Sequence, residues 1–105
     1  MTDYKNIVIY KVFSKRSPNF YIGSTTNFLQ RKYEHKSRSD AGLVDTNLYR
    51  EIRVMGGWEK GKWEMEVLES YPCKTEKQAL KREEMWYKRL SPSLNIQHPN
   101  NKKIT

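Results

Sequence analysis

A chain of 105 residues has room for one hydrophobic core, and 36% hydrophobic with 30% charged residues describes a compact but very polar globule. Three Trp, seven Tyr and three Phe argue against a disordered chain, while a formal charge of +8 favours a polyanionic partner, most commonly nucleic acid, with an idle basic surface as the alternative. The longest apolar run, IVIYKVF, is broken by Lys11 and far too short to span a bilayer, and the lone Cys73 excludes an internal disulfide or a thiolate zinc cluster.

In chain order, MTDYKN lacks the charged and apolar regions of a secretory signal, so an intracellular setting is expected. NIVIYKVF (6–13) is rich in β-branched residues and reads as a strand. SKRSPN supplies turn residues, and FYIGS (20–24) reads as its hairpin partner, with Tyr10 and Tyr21 placed late in the two strands. Asn27 and Gln30 form a capping-box pattern that predicts a helix running to about Lys36, with SRSDAG as a loop. TNLYREIRVM (46–55) carries Leu48, Ile52 and Met55 at helical spacing and is ended by Gly56-Gly57. KWEMEVLES (62–70) alternates, with Trp63, Met65 and Val67 on one face, and predicts a half-buried strand. Thr75 and Gln78 cap a helix from about Glu76 to Leu90. SPSLNI is an ordered return, and residues 98–105 read as a frayed tail after a single domain over 1–97. The order β-β-α-α-β-α is that of a small α/β (α+β) domain.

One carboxylate breaks the pattern of the last helix. At about 100° per residue, Ala79, Trp86 and Leu90 cluster, Leu80 and Tyr87 lie beside them, and Glu83 projects from the middle of this apolar stripe. Its neighbour Glu84 falls towards the charged side with Lys81 and Lys88. A carboxylate among core residues needs a cation or hydrogen-bond donors, so Glu83 is either salt-bridged or a ligand for a hard divalent metal. On the first helix Arg31 and His35 share a face with Phe28, whereas Leu29 and Tyr33 lie well round the cylinder. That pair is either solvated surface or a phosphate site, in which arginine grips and histidine moves a proton. Strand tyrosines such as Tyr10 and Tyr21 are most often packing, with a site role as the less common alternative, and Gly23 permits either close backbone approach or only a bend.

VIY (8–10), ten further residues, YIG (21–23), then STTNFLQRKYEH and later LKREEMWYKRLSPSLNI together resemble the GIY-YIG nuclease family, from about Ile7 to Ile96. The resemblance implies a small three-stranded antiparallel or mixed sheet flanked by helices. It also implies metal-dependent cleavage of a DNA phosphodiester, usually with Mg²⁺ and with Mn²⁺ as the alternative. By motif position Tyr10 and Tyr21 correspond to the two signature tyrosines and Arg31 to the phosphate-stabilising arginine. His35 corresponds to the helix histidine, Glu83 to the metal ligand and Asn95 to the asparagine that closes the site. The helix projection and the motif select the same glutamate.

On family grounds Tyr10 is the preferred base, which at neutral pH requires its pKa to be drawn down by nearby cations, with Tyr21 positioning water or phosphate and His35 orienting Tyr10 or shuttling its proton, and these roles are exchangeable as far as the sequence goes. Lys15, Arg16, Lys32, Lys36 and Arg38 are the candidate DNA contacts, or else a solvated charge run. Val8 stands where the first motif expects glycine, which strand pairing tolerates. Sequence selectivity is expected to need an additional recognition domain or a partner protein. The competing readings are a non-catalytic nucleic-acid-binding module of the same fold and a basic scaffold for an acidic protein.

Overall fold

The computed structural model describes residues 4–42 and 46–95. The tail over 98–105 and Ile96 lie outside the described residues. After one 3₁₀ turn at Tyr4–Asn6, β1 (Val8–Ser14) and β2 (Tyr21–Thr25) form the expected hairpin. Two helices follow, α1 (Phe28–Ala41) and α2 (Asn47–Val54), then β3 (Trp63–Ser70) and α3 (Glu76–Leu90). The sheet order is β2-β1-β3 and both pairings are antiparallel, so the sheet is α+β in type and not mixed.

Directly paired residues point to the same face of a sheet. Tyr10 opposes Gly23, Val12 opposes Tyr21 and Met65, and Ser14 opposes Trp63. This face meets Leu48, Tyr49 and Ile52 of α2 and Trp58 of the following loop in one buried cluster. Ile9 pairs with Ser24 and Lys11 with Ile22 on the opposite face, where α3 packs along β2. Ile9, Ile22 and Ile52 are fully buried, and each such side chain contributes about 1.5–3 kcal/mol of transfer free energy.

Asn27 caps α1 by accepting a hydrogen bond from the Gln30 amide, and Thr75 with Gln78 forms a complete capping box on α3. Three local expectations need correction. Helix α1 does not stop at Lys36, because SRSDA continues it to Ala41. Fully buried Ser39 satisfies its hydroxyl on the Lys36 carbonyl (3.0 Å), so it does not break the helix, and Gly42 ends it in the left-handed region at φ 70°. Val67 is 48% exposed although it shares the Tyr10 face. The register slips between Ile9 and Tyr10, from Glu69 to Val67, and β3 is an edge strand, so this corner of the sheet is left open. Tyr21 opens β2 and Tyr10 sits in the middle of the three-strand overlap, so neither is a late strand position.

The segment after α3 returns along β2. Leu94 N–H donates to the Phe20 carbonyl at 2.9 Å and Ser93 Oγ to Asn19 Oδ1 at 2.9 Å. Among the described residues no helix is long and apolar enough to cross a membrane.

Candidate active site

Alternation along β1 and β2 brings Tyr10, Tyr21 and Gly23 to one face, and the helical repeat of α1 turns His35 towards them. The Tyr10 hydroxyl lies 2.7 Å from His35 Nε2, and the Tyr49 hydroxyl lies 2.8 Å from His35 Nδ1. Tyr10 is fully buried, His35 is 5% exposed and Tyr49 is 6% exposed. The Tyr21 ring stands 6.4 Å from that of Tyr10 and 5.8 Å from that of His35. A tyrosine–histidine–tyrosine chain therefore runs from β1 through α1 to α2.

Gly23 makes this packing feasible. A Cβ there would lie 2.6 Å from Tyr10 Oη and 3.0 Å from Tyr21 Cε2. The glycine is thus required by the two rings and is not simply a strand bend.

Glu83 approaches from the other side of β2. It is 8% exposed, and with Ala79 it is one of the two buried residues of α3. Ser24 Oγ donates to Glu83 Oε1 at 2.6 Å. Trp86, expected in the same apolar stripe, is half-buried and donates its indole N–H to Glu69 Oε1 at 2.9 Å. Glu84 lies 3.5 Å from Lys88 on the outer side.

Asn95 acts through backbone. Its Nδ2 donates to the Ile22 carbonyl at 2.8 Å while its Oδ1 accepts the Ile22 N–H at 2.9 Å. A side-chain amide thereby substitutes for a neighbouring strand and clamps β2 between Tyr21 and Gly23.

The electrostatics run against one expectation. Burial pushes the Tyr10 hydroxyl well above the usual phenol value, Tyr21 and Glu83 add to the rise, and the charge and hydrogen bond of Arg31 do not reverse it. Tyr10 is held protonated at neutral pH and is not drawn down by nearby cations. Tyr21 is pushed up to about 12, first by burial and then by Glu83, with Arg31 pulling the other way. His35 is lowered to about 4 by burial and by the Arg31 and Arg38 charges, so its imidazole is neutral at pH 7. Arg31 and Glu83 thus act with opposite sign on the same two tyrosines. Arg31 also pairs with Glu34 at 3.1 Å and stays partly exposed.

Lys15, Lys32 and Arg38 face solvent, whereas Arg16 Nη1 donates to the Lys60 carbonyl at 3.0 Å and Lys36 pairs with the adjacent Glu59 at 2.6 Å. Arg38 acts on the buried chain through His35 and Tyr49.

Ser24 and Tyr49 were not singled out by the sequence. Ser24 follows Gly23, and strand alternation aims it at α3 and Glu83, which is a signal only once α3 is known to pack there. Tyr49 adjoins Leu48 on the apolar face of α2, where periodicity marks it as core and conceals its hydroxyl.

A small α+β domain with two tyrosines, a histidine, an arginine and a carboxylate gathered about one strand glycine has the make-up of a phosphodiester-cleaving domain. The GIY-YIG catalytic domain model matches residues 6–97, and the chain belongs to this family of nuclease domains. Two solved structures share the fold. A point mutant of the catalytic domain of intron endonuclease I-TevI aligns at 23% identity and TM-score 0.75, over 88% of this chain and 94% of that one. The catalytic domain of homing endonuclease I-TevI aligns at 23% identity and TM-score 0.71, over 85% and 92%. A search among curated proteins found no match.

Proposed function

We propose that this chain is a divalent-metal-dependent DNA endonuclease that hydrolyses a phosphodiester at a single site. The observation that carries the reading is the 2.7 Å contact between Tyr10 and His35, made where Arg31 and Glu83 both act on the tyrosines. A packed core explains one buried phenol, but not a neutral imidazole on its hydroxyl with a carboxylate and a guanidinium of opposing influence beside it.

The Glu83 carboxylate suits Mg²⁺. It is a hard oxygen ligand, nearly buried, and turned by Ser24 through one oxygen. An ion there would be held by this one carboxylate, by waters and by a substrate phosphate, since Mg²⁺ commonly keeps several waters. When bound, such a cation neutralises charge on the phosphate and the leaving oxygen, and Mn²⁺ could take the same place.

The protein's own groups do the rest. Arg31, reaching the site from α1 and still partly exposed, grips a non-bridging phosphate oxygen and stabilises the charge that builds there. Tyr10 accepts a proton from the attacking water while passing its own to His35 Nε2, so no free phenolate is needed. Tyr21 lines the water and phosphate position. Asn95 keeps Tyr21 and Gly23 in place through Ile22. Water attacks phosphorus in line as the bond to the leaving sugar oxygen breaks; that oxygen takes a proton from solvent, and His35 gives its extra proton back to solvent.

The net charge of +8 supports DNA as the substrate, and Lys15, Arg16, Lys32, Lys36 and Arg38 would contact phosphates with little base discrimination. The exposed Lys36–Glu59 pair presents no obstacle, since surface ion pairs exchange readily for other charged partners. Selectivity would come from an additional recognition domain or a partner protein. An intracellular setting accords with the single free Cys73.

The test is supercoiled-plasmid cleavage in Mg²⁺ at low salt. Wild type should nick the plasmid, and Glu83→Gln and Arg31→Ala should remain folded and lose nicking by at least about 100-fold. Salt-sensitive DNA binding without cleavage in Mg²⁺ or Mn²⁺ would instead make the chain a binding module.

A further inference from the structure

Tyr49 is the one phenol in the buried chain that the proposed hydrolysis does not use. We infer that Tyr49 is a positioning residue: its hydroxyl oxygen accepts a hydrogen bond from His35 Nδ1–H and so holds the imidazole in the tautomer whose Nε2 can take the Tyr10 proton. The inference rests on the hydrolytic reading of the site above.

Hydrogen-bond capacity carries the argument. A neutral imidazole has one N–H donor and one acceptor nitrogen, and both His35 nitrogens have a phenol within 2.8 Å. Two arrangements are therefore open. If Nε2 carries the proton, it donates to the Tyr10 oxygen and cannot take the Tyr10 proton. If Nδ1 carries the proton, Tyr10 donates to Nε2. Only this second arrangement lets Tyr10 pass its proton to His35 as it takes one from water.

The tautomer is set by the bond made at the other nitrogen, and Tyr49 is the group on that nitrogen. Its ring packs edge-on to the imidazole, with centroids 5.7 Å apart and planes at 66°. Its ring lies within the buried core cluster on α2. Arg38, seven residues after Arg31 on α1, acts on the Tyr49 hydroxyl as Arg31 acts on Tyr10. A phenol oxygen has two lone pairs, so the Tyr49 hydroxyl can accept Nδ1–H.

The test is the ¹⁵N NMR spectrum of the His35 ring at neutral pH, in wild type and Tyr49→Phe, paired with plasmid-nicking kinetics. Wild type should show a protonated Nδ1 and an acceptor Nε2. Tyr49→Phe keeps the ring packing, and it should shift His35 towards Nε2–H while kcat falls about 10–100-fold with KM little changed. A wild-type His35 protonated at Nε2 overturns the inference, as does an unchanged tautomer or an unchanged kcat in Tyr49→Phe. If Tyr49→Phe fails to fold, the wild-type spectrum still decides the tautomer. A wild type that never cleaves DNA removes the hydrolytic reading and with it any catalytic purpose for the bond, whereas the ring spectrum separately reports whether the bond exists.

Discussion

Ser24 Oγ donates a 2.6 Å hydrogen bond to Glu83 Oε1, joining the edge strand β2 to helix α3 across 59 residues of chain. Ser24 lies one residue from Gly23, so the strand that packs under Tyr10 on one face orients the carboxylate on the other. The hydroxyl partly satisfies a nearly buried charge. Ser24→Ala should destabilise the fold by about 1–3 kcal/mol and raise the Mg²⁺ concentration needed for half-maximal cleavage. Urea unfolding and a Mg²⁺ titration of nicking measure the two effects separately. A titration midpoint unmoved by the substitution would mean that Glu83 does not depend on Ser24 for its orientation.

Gly23→Ala places a Cβ 2.6 Å from the Tyr10 hydroxyl and 2.8 Å from its Cζ. Tyr10 is fully buried and held by His35, so the ring cannot swing aside. Overpacking of this kind costs about 1–3 kcal/mol, and the displaced hydroxyl should lose its alignment with Nε2. Cleavage should fall by at least about 100-fold, because small misplacements of reacting groups are that costly. A folded Gly23→Ala protein with near-normal nicking would show that the Tyr10–His35 geometry does not matter to the rate.

Acid should unfold this protein partly through His35. Its folded-state pKa of about 4 lies below the usual 6.5, so between those values the unfolded chain binds the proton that the native imidazole refuses. Stability is therefore retained near pH 7 and is lost as pH falls from about 6.5 to about 4, by about 3 kcal/mol. Urea unfolding at pH 7 and pH 4 reads this loss. The same comparison in His35→Asn, whose side chain does not titrate, should show a correspondingly smaller drop. An equal drop in both proteins would assign the acid sensitivity to carboxylates such as Glu69, whose pKa is lowered by its bonds from Arg82 and Trp86.

Much of the site was legible because local chemistry carries it. The capping residues Asn27 and Thr75 bound their own helices, and the helical repeat alone put Glu83, not Glu84, on the buried side of α3. It also put Arg31 and His35 on one face of α1, and the structure leaves Leu29 76% and Tyr33 70% exposed on another. The alternation of β2 set Tyr21 and Gly23 on a common face. These periodicities belong to backbone geometry and do not depend on the rest of the fold.

What tertiary structure decided was where those faces meet. Val67 had the same strand pattern as Met65, but a slip in register and a free sheet edge leave it half exposed, and neither is written in alternation. Ser39 looked like a loop residue until burial gave its hydroxyl only the helix carbonyl to bond. Nothing in the sequence singles out Tyr49 beside Leu48, yet its hydroxyl ends on His35. A general-base Tyr10 calls for nearby cations that lower its pKa, but desolvation at full burial outweighs Arg31. A pKa sums contributions from groups far apart in the chain, so the sequence determined which groups are present, and packing alone determined how each is shifted.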